Sequence, residues 1–175
     1  MKKALLIFSL LLTFTFIGCN KDEEEFIPSN NFGISSSEEE TQEGFSFLYK
    51  DTEISVGTDM APVLSALGEP TSYFESNSCA FQGLDKVYTY GSVIIRTYPQ
   101  DGDDYILSVE LKDDSIQTPE GVSIGNTLEF AESVYGKPDE KNGGSLVYKK
   151  GNSVLSFIAK NDEISAITYT QNSDQ

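Results

Sequence analysis

The sequence predicts an α+β domain of two tandem repeats, each a helix followed by an antiparallel β-meander, with the helices packed on one face of a curved antiparallel sheet. Three observations predict it. Residues 54–70, ISVGTDMAPVLSALGEP, match residues 122–138, VSIGNTLEFAESVYGKP, at a constant offset that aligns Gly57 with Gly125, Gly68 with Gly136 and Pro70 with Pro138. Within the matches, apolar residues recur at helical spacing: Met60, Val63, Leu64 and Leu67 in the first, Leu128, Ala131, Val134 and Tyr135 in the second. Downstream of each match, β-rich runs are split by Gly91-Ser92 and by Gly151-Asn152, the signature of two-residue hairpins with glycine at a positive φ.

In chain order, the first element is an address. Lys2 and Lys3 precede a 14-residue apolar run, Ala4–Ile17, and then Gly18-Cys19. The run is shorter than the roughly 20 residues that cross a bilayer, so residues 1–18 read as a signal peptide. Phe16-Ile17-Gly18-Cys19 has the form of a bacterial lipobox, with Phe16 where Leu is usual, which makes Cys19 the expected lipidation site; an ordinary secretory signal is the other reading. Residues 19–44 are polar, acidic and without apolar periodicity, as a flexible tether would be. The domain is expected over 45–171, repeat one at 45–112 and repeat two at 113–171, with a disordered tail at 172–175.

Phe45, Phe47 and Tyr49 alternate and open the domain as a strand. Thr58 and Asn126 stand before the two helical stretches as N-cap types, with Glu129 completing a capping box after Asn126. Pro62 fits the first helical turn, and Gly68 and Gly136 followed by Pro70 and Pro138 end the helices. The segment around SYFESNSCAFQGLD reads as an insertion in the first repeat. Tyr105, Leu107, Val109 and Leu111 alternate with Ile106, Ser108 and Glu110 as a half-buried strand, and Glu163–Tyr169 repeats the pattern more weakly.

Two tandem copies of V-G-x-x-x-x-x-V/A-x-x-x-x-G-x-P followed by a meander resemble the β-lactamase-inhibitor-protein-like (BLIP-like) fold and, as a single repeat, the outer-membrane assembly lipoproteins of the SmpA/OmlA (BamE) type. Cys79–Gly91, CAFQGLDKVYTYG, is similar to surface lipoproteins of uncharacterised function from Gram-positive bacteria. The resemblance implies a non-enzymatic binder that holds a protein partner on its sheet, or a scaffold for envelope assembly.

Composition narrows the chemistry. The 175 residues contain no His, which excludes Ser-His-Asp and Cys-His catalysis and imidazole metal sites. A net charge of -16 opposes binding to nucleic acid and to anionic lipid, so no nucleic-acid partner is expected and membrane association is expected only through the lipid anchor. With Cys19 lipidated, Cys79 is the only thiol; it reads as a small buried side chain, the alternative being a reactive nucleophile. Asp101-Gly102-Asp103-Asp104 is the densest carboxylate cluster; it reads as a hairpin turn, with a Ca²⁺ site as the alternative.

No cofactor, metal or catalytic residue is expected. The residues expected to contact a protein or peptide partner are Tyr88, Tyr90, Ile94, Arg96 and Tyr98, placed together on one parity of the first hairpin, opposite Val87, Val93 and Ile95. Tyr and Arg are types enriched at interface hot spots; the competing reading has these tyrosines only covering the sheet. Phe74 and Phe81 in the insertion divide between core and contact surface. The expected function is thus an extracytoplasmic, membrane-anchored binding module. Its alternatives are a structural scaffold of the envelope and an Asp/Glu-dependent hydrolase, which needs two carboxylates in one cleft.

Overall fold

Five tight turns, at Lys50-Asp51, Gly91-Ser92, Asp101-Gly102, Gly151-Asn152 and Asn161-Asp162, each carry at least one residue with positive φ and each join two antiparallel strands. They belong to a computed structural model that describes residues 44–172. The expected signal peptide, Cys19, nearly all of the tether and all of the tail beyond Asn172 lie outside the described residues.

The elements in order are β1 (Ser46–Tyr49), β2 (Thr52–Ser55), α1 (Ala61–Leu67), β3 (Ser72–Asn77), β4 (Leu84–Tyr90), β5 (Val93–Gln100), β6 (Asp103–Leu111), α2 (Leu128–Tyr135), β7 (Glu140–Asn142), β8 (Ser145–Lys150), β9 (Ser153–Lys160) and β10 (Glu163–Gln171). β1 and β2 form a separate hairpin. The other eight strands make one antiparallel sheet in the order β3-β4-β5-β6-β10-β9-β8-β7.

This corrects the expected fold class. The molecule is mostly β, organised by a single eight-stranded sheet rather than by two helix-plus-meander repeats. The helices are seven and eight residues long, about two turns each, too short to form a layer over the sheet. The apolar spacing is filled by these short helices, and ahead of α1 the N–H groups of Gly57 and Met60 bond to the carbonyls of Ile106 and Asp104 beside β6. The sheet is continuous through its centre, where β6 and β10 pair from Leu111 with Ile167 to Ser108 with Thr170.

The core lies on one face of this sheet. Residues directly opposite on neighbouring strands share a face, so one buried row runs Tyr88, Ile95, Val109, Tyr169, Leu155, Tyr148 and the next runs Tyr90, Val93, Leu111, Ile167, Phe157, Leu146. Three elements cover these rows. The β1–β2 hairpin lays Phe47 against Tyr169, with ring centroids 5.7 Å apart. α1 and α2 contribute buried Val63 and Ala131, and each helix ends on a glycine whose carbonyl accepts a tyrosine hydroxyl from the sheet: Tyr90 to Gly68 at 2.9 Å, Tyr148 to Gly136 at 3.1 Å.

The caps sit away from the expected positions. α1 begins after Met60, with the Ala61 N–H held by Asp59 Oδ1, and Pro62 falls in its first turn. α2 is capped by Thr127, whose hydroxyl accepts from the Phe130 N–H. Asn126 instead accepts from the Ser123 N–H and closes the preceding turn, so the expected capping box with Glu129 does not form.

Two bulges break the alternation of the central strands. In β6 the register passes from Ser108 opposite Arg96 to Ile106 opposite Thr97, leaving Leu107 as the extra residue. Ile106 and Val109 are therefore both buried and Leu107 is exposed, unlike the uninterrupted alternation expected there. In β10 the register passes from Ile164 to Ala166, with Ser165 extra.

Candidate interaction surface

The hairpin turn at Gly91-Ser92 decides which side chains reach solvent. A two-residue turn pairs Tyr90 with Val93, so even-numbered residues of β4 stand opposite odd-numbered residues of β5. The expectation that Tyr88, Tyr90, Ile94, Arg96 and Tyr98 share one exposed face is corrected for this reason. Tyr88 and Tyr90 point into the core with Val93 and Ile95, at 5% and 3% exposure. Tyr98 is buried as well, beneath Phe81 at 5.0 Å between ring centroids and beside Tyr105 at 6.0 Å, and its hydroxyl accepts from Gln171 Nε2. Ile94, half-buried, and Arg96, exposed, lie on the other face, opposite Thr89 and Val87; Tyr98 shares their parity on β5 but is covered by Phe81, so of the five only these two reach solvent there.

That other face is the side of the sheet that the helices and the β1–β2 hairpin leave uncovered. Two rows cross it. One runs Phe74, Val87, Arg96, Ser108, Thr170, Val154, Lys149; the next runs Ser72, Thr89, Ile94, Glu110, Thr168, Ser156, Val147, Glu140. Phe74 is 62% exposed and Ile158, two residues beyond Ser156 on β9, is 51% exposed. Charges within the rows are matched: Arg96 Nη2 lies 3.8 Å from Glu110 Oε2, and Lys149 Nζ lies 3.1 Å from Glu140 Oε1. Residues from Gly44 onward carry nine basic and twenty acidic side chains. The two rows are therefore close to neutral on a strongly acidic domain, and between the ion pairs they present hydroxyls and aliphatic groups.

Val154 and Ile158 are members of this surface that the sequence reading misses, and Phe74, which it divides with Phe81 between core and contact surface, joins them. The signal that finds Val154 and Ile158 is the same turn arithmetic: Gly151-Asn152 pairs Lys150 with Ser153, which puts odd-numbered β9 residues inside and even-numbered ones outside. Which side Phe74 takes is decided only by the pairing of Ser72–Asn77 as a strand with β4.

The carboxylate cluster at residues 101–104 is engaged. Asp101-Gly102 forms a hairpin turn with φ of 55° and 98°, Asp103 and Asp104 open β6, and Asp104 Oδ2 accepts from Lys86 Nζ at 2.6 Å. That hydrogen bond raises the Lys86 ammonium above its ordinary pKa. No group of three or more Cys, Asp or Glu suited to a metal occurs among the described residues. Glu53 and Asp59 line a cleft of about 400 Å³ between β2 and α1, with Ser55, Thr58, Pro62 and Val63; the Asp59 carboxylate there is tied to the start of α1. Cys79 is exposed in the loop after β3, beyond the end of the sheet, which corrects the buried reading.

No protein-family model and no curated protein matches the chain. Among solved structures, the chain is similar to an extracellular protein containing an SCP domain from Bacillus anthracis str. Ames, with 11% identity and a TM-score of 0.39, over 67% of this chain and 44% of that one. The chain thus spans less than half of that protein's length. No helix among the described residues is long and apolar enough to cross a membrane.

Proposed function

We propose that the protein is an extracytoplasmic module, anchored to the bacterial membrane through lipidated Cys19, that binds a protein or peptide partner on the uncovered face of its eight-stranded sheet without catalysing a reaction. The observation that carries this reading is the one-sidedness of the sheet: both helices and the β1–β2 hairpin pack on one face, and the other presents Phe74, Ile94, Arg96 and Ile158 on a nearly neutral ground. Eight strands at about 4.8 Å spacing and about 18 Å length offer roughly 700 Å², close to the ~800 Å² per partner of a standard interface. The signal sequence and lipobox support the address, and the acidic segment up to Gly44 supports a spacer that keeps the domain clear of the bilayer.

Affinity capture from the native envelope tests the reading. Wild-type chain is compared with a Phe74→Ala, Arg96→Ala, Ile158→Ala variant, whose substitutions lie on exposed positions and leave the core rows intact. The expected result is loss of at least one partner from the variant's profile; identical profiles would remove this face as the binding site.

A further inference from the structure

The two edges of the large sheet are built differently. β7 is three residues long, Glu140-Lys141-Asn142, short and charged as protected edges are. β3 at the opposite edge is six residues, SYFESN, with one charge, two aromatic rings and no proline, and all six are exposed. Its sole strand neighbour among the described residues is β4. Alternate residues of an antiparallel strand direct both N–H and C=O to the same side, so β3 presents a row of backbone groups along its open side.

We propose that the open side of β3 pairs with β3 of a second copy of this chain, antiparallel and centred on Phe74. Symmetry restricts the choices. A two-fold axis normal to the sheet is the operation that joins two identical edges antiparallel with their faces matched, so a central residue must stand opposite itself. Centring on Glu75 opposes two carboxylates, which is destabilising. Centring on Tyr73 sets Phe74 against Ser72 and carries Glu75 beyond the strand. Centring on Phe74 stacks two otherwise exposed rings on the uncovered face and sets Tyr73 opposite Glu75 of the second copy, twice by symmetry. In the single chain Tyr73 already donates its hydroxyl to its own Glu75, so both groups are positioned for the same contact across the axis. In this register Ser72–Ser76 is paired along its whole length with no like charges opposed.

Cysteine cross-linking in the full chain, with Cys79→Ser removing the native exposed thiol, tests the register. Phe74→Cys places two thiols directly opposite, where strand neighbours bring Cβ atoms within about 5.5 Å. Ser76→Cys places them four residues out of register, roughly 13 Å along the strand and beyond the ~7 Å Cα separation a disulfide tolerates. Leu48→Cys, on the β1–β2 hairpin and 54% exposed, reports random collision. Under mild oxidation in the membrane, Phe74→Cys is expected to give a reductant-sensitive dimer on the order of ten-fold more abundant than either comparison variant, given that distance limit. A Phe74→Cys chain that remains monomeric, or three variants that cross-link alike, would overturn the proposal. All three positions are exposed, so a folding defect does not confound the comparison.

Discussion

Replacing Phe157 with alanine lowers the unfolding free energy by about 3–5 kcal/mol, whereas the same change at the next residue, Ile158, costs about 0.5 kcal/mol or less. Phe157 is fully buried between Leu146 and Ile167 on the core face of β9. Its ring lies 5.3 Å from Tyr135 on α2 and 6.0 Å from Tyr148 on β8, so it joins the helix to the sheet. Truncation loses the transfer energy of the ring and leaves a cavity that β-sheet backbone on one side and α2 on the other cannot both collapse into. Ile158 points to the uncovered face and is half exposed, so its truncation removes little buried area. A domain with about 5–15 kcal/mol of stability is brought close to unfolding by the first change and barely moved by the second. Urea midpoints of the two variants measure the difference, and similar losses at both positions would contradict the assignment of faces.

Stability falls as pH rises above about 10, and Tyr169→Phe makes that fall shallower. Burial is the main cause that holds the Tyr169 hydroxyl protonated well above its ordinary value, and burial likewise raises Tyr135, Tyr88, Tyr90 and Tyr148. The folded chain therefore keeps protons that the unfolded chain releases. With fewer protons bound to the unfolded state, stability declines with rising pH; the contribution is complete below the unfolded pKa near 10 and is lost above it. Lys86 acts in the same direction through its bond to Asp104. A phenol that stays neutral only in the folded state removes about 1.4 kcal/mol per pH unit over this range. Urea midpoints between pH 8 and 11 should thus separate Tyr169→Phe from wild type by about that slope. Parallel alkaline limbs would show that Tyr169 is not held neutral by the fold.

Local chemistry with a short physical range was legible in the sequence. The turns at Gly91-Ser92 and Gly151-Asn152 and the helix ends at Gly68 and Gly136 stand where glycine's tolerance of positive φ places them. Val63 and Ala131 face the core as helical spacing predicts. What escaped the sequence depends on pairing between distant segments. Whether Tyr88 faces inward is decided by its position opposite Ile95, and the parity of one strand says nothing about its neighbour until the turn is counted. Leu107 and Ser165 become bulges because their partner strands skip a residue, and neither carries a local signal. The fold class followed the same logic. The apolar windows from Met60 to Leu67 and from Leu128 to Tyr135 are filled by helices of about two turns, but that the strands on either side join into one eight-stranded sheet is written in no local window. Of the five residues proposed for partner contact, Ile94 and Arg96 remain on a solvent-facing surface; the tyrosines belong to the core and to the contact with Phe81.

Thiol accessibility on the uncovered face, compared between intact envelopes and the purified chain, tests the central claim most directly, because it does not require the partner to be identified. With Cys79→Ser as background, Arg96→Cys and Ile158→Cys report on the proposed surface, and Leu48→Cys reports on the hairpin side. The binding account predicts rapid maleimide labelling of all three in the purified chain and selective protection of Arg96→Cys and Ile158→Cys in the envelope. Equal labelling of those two positions in both settings would contradict it.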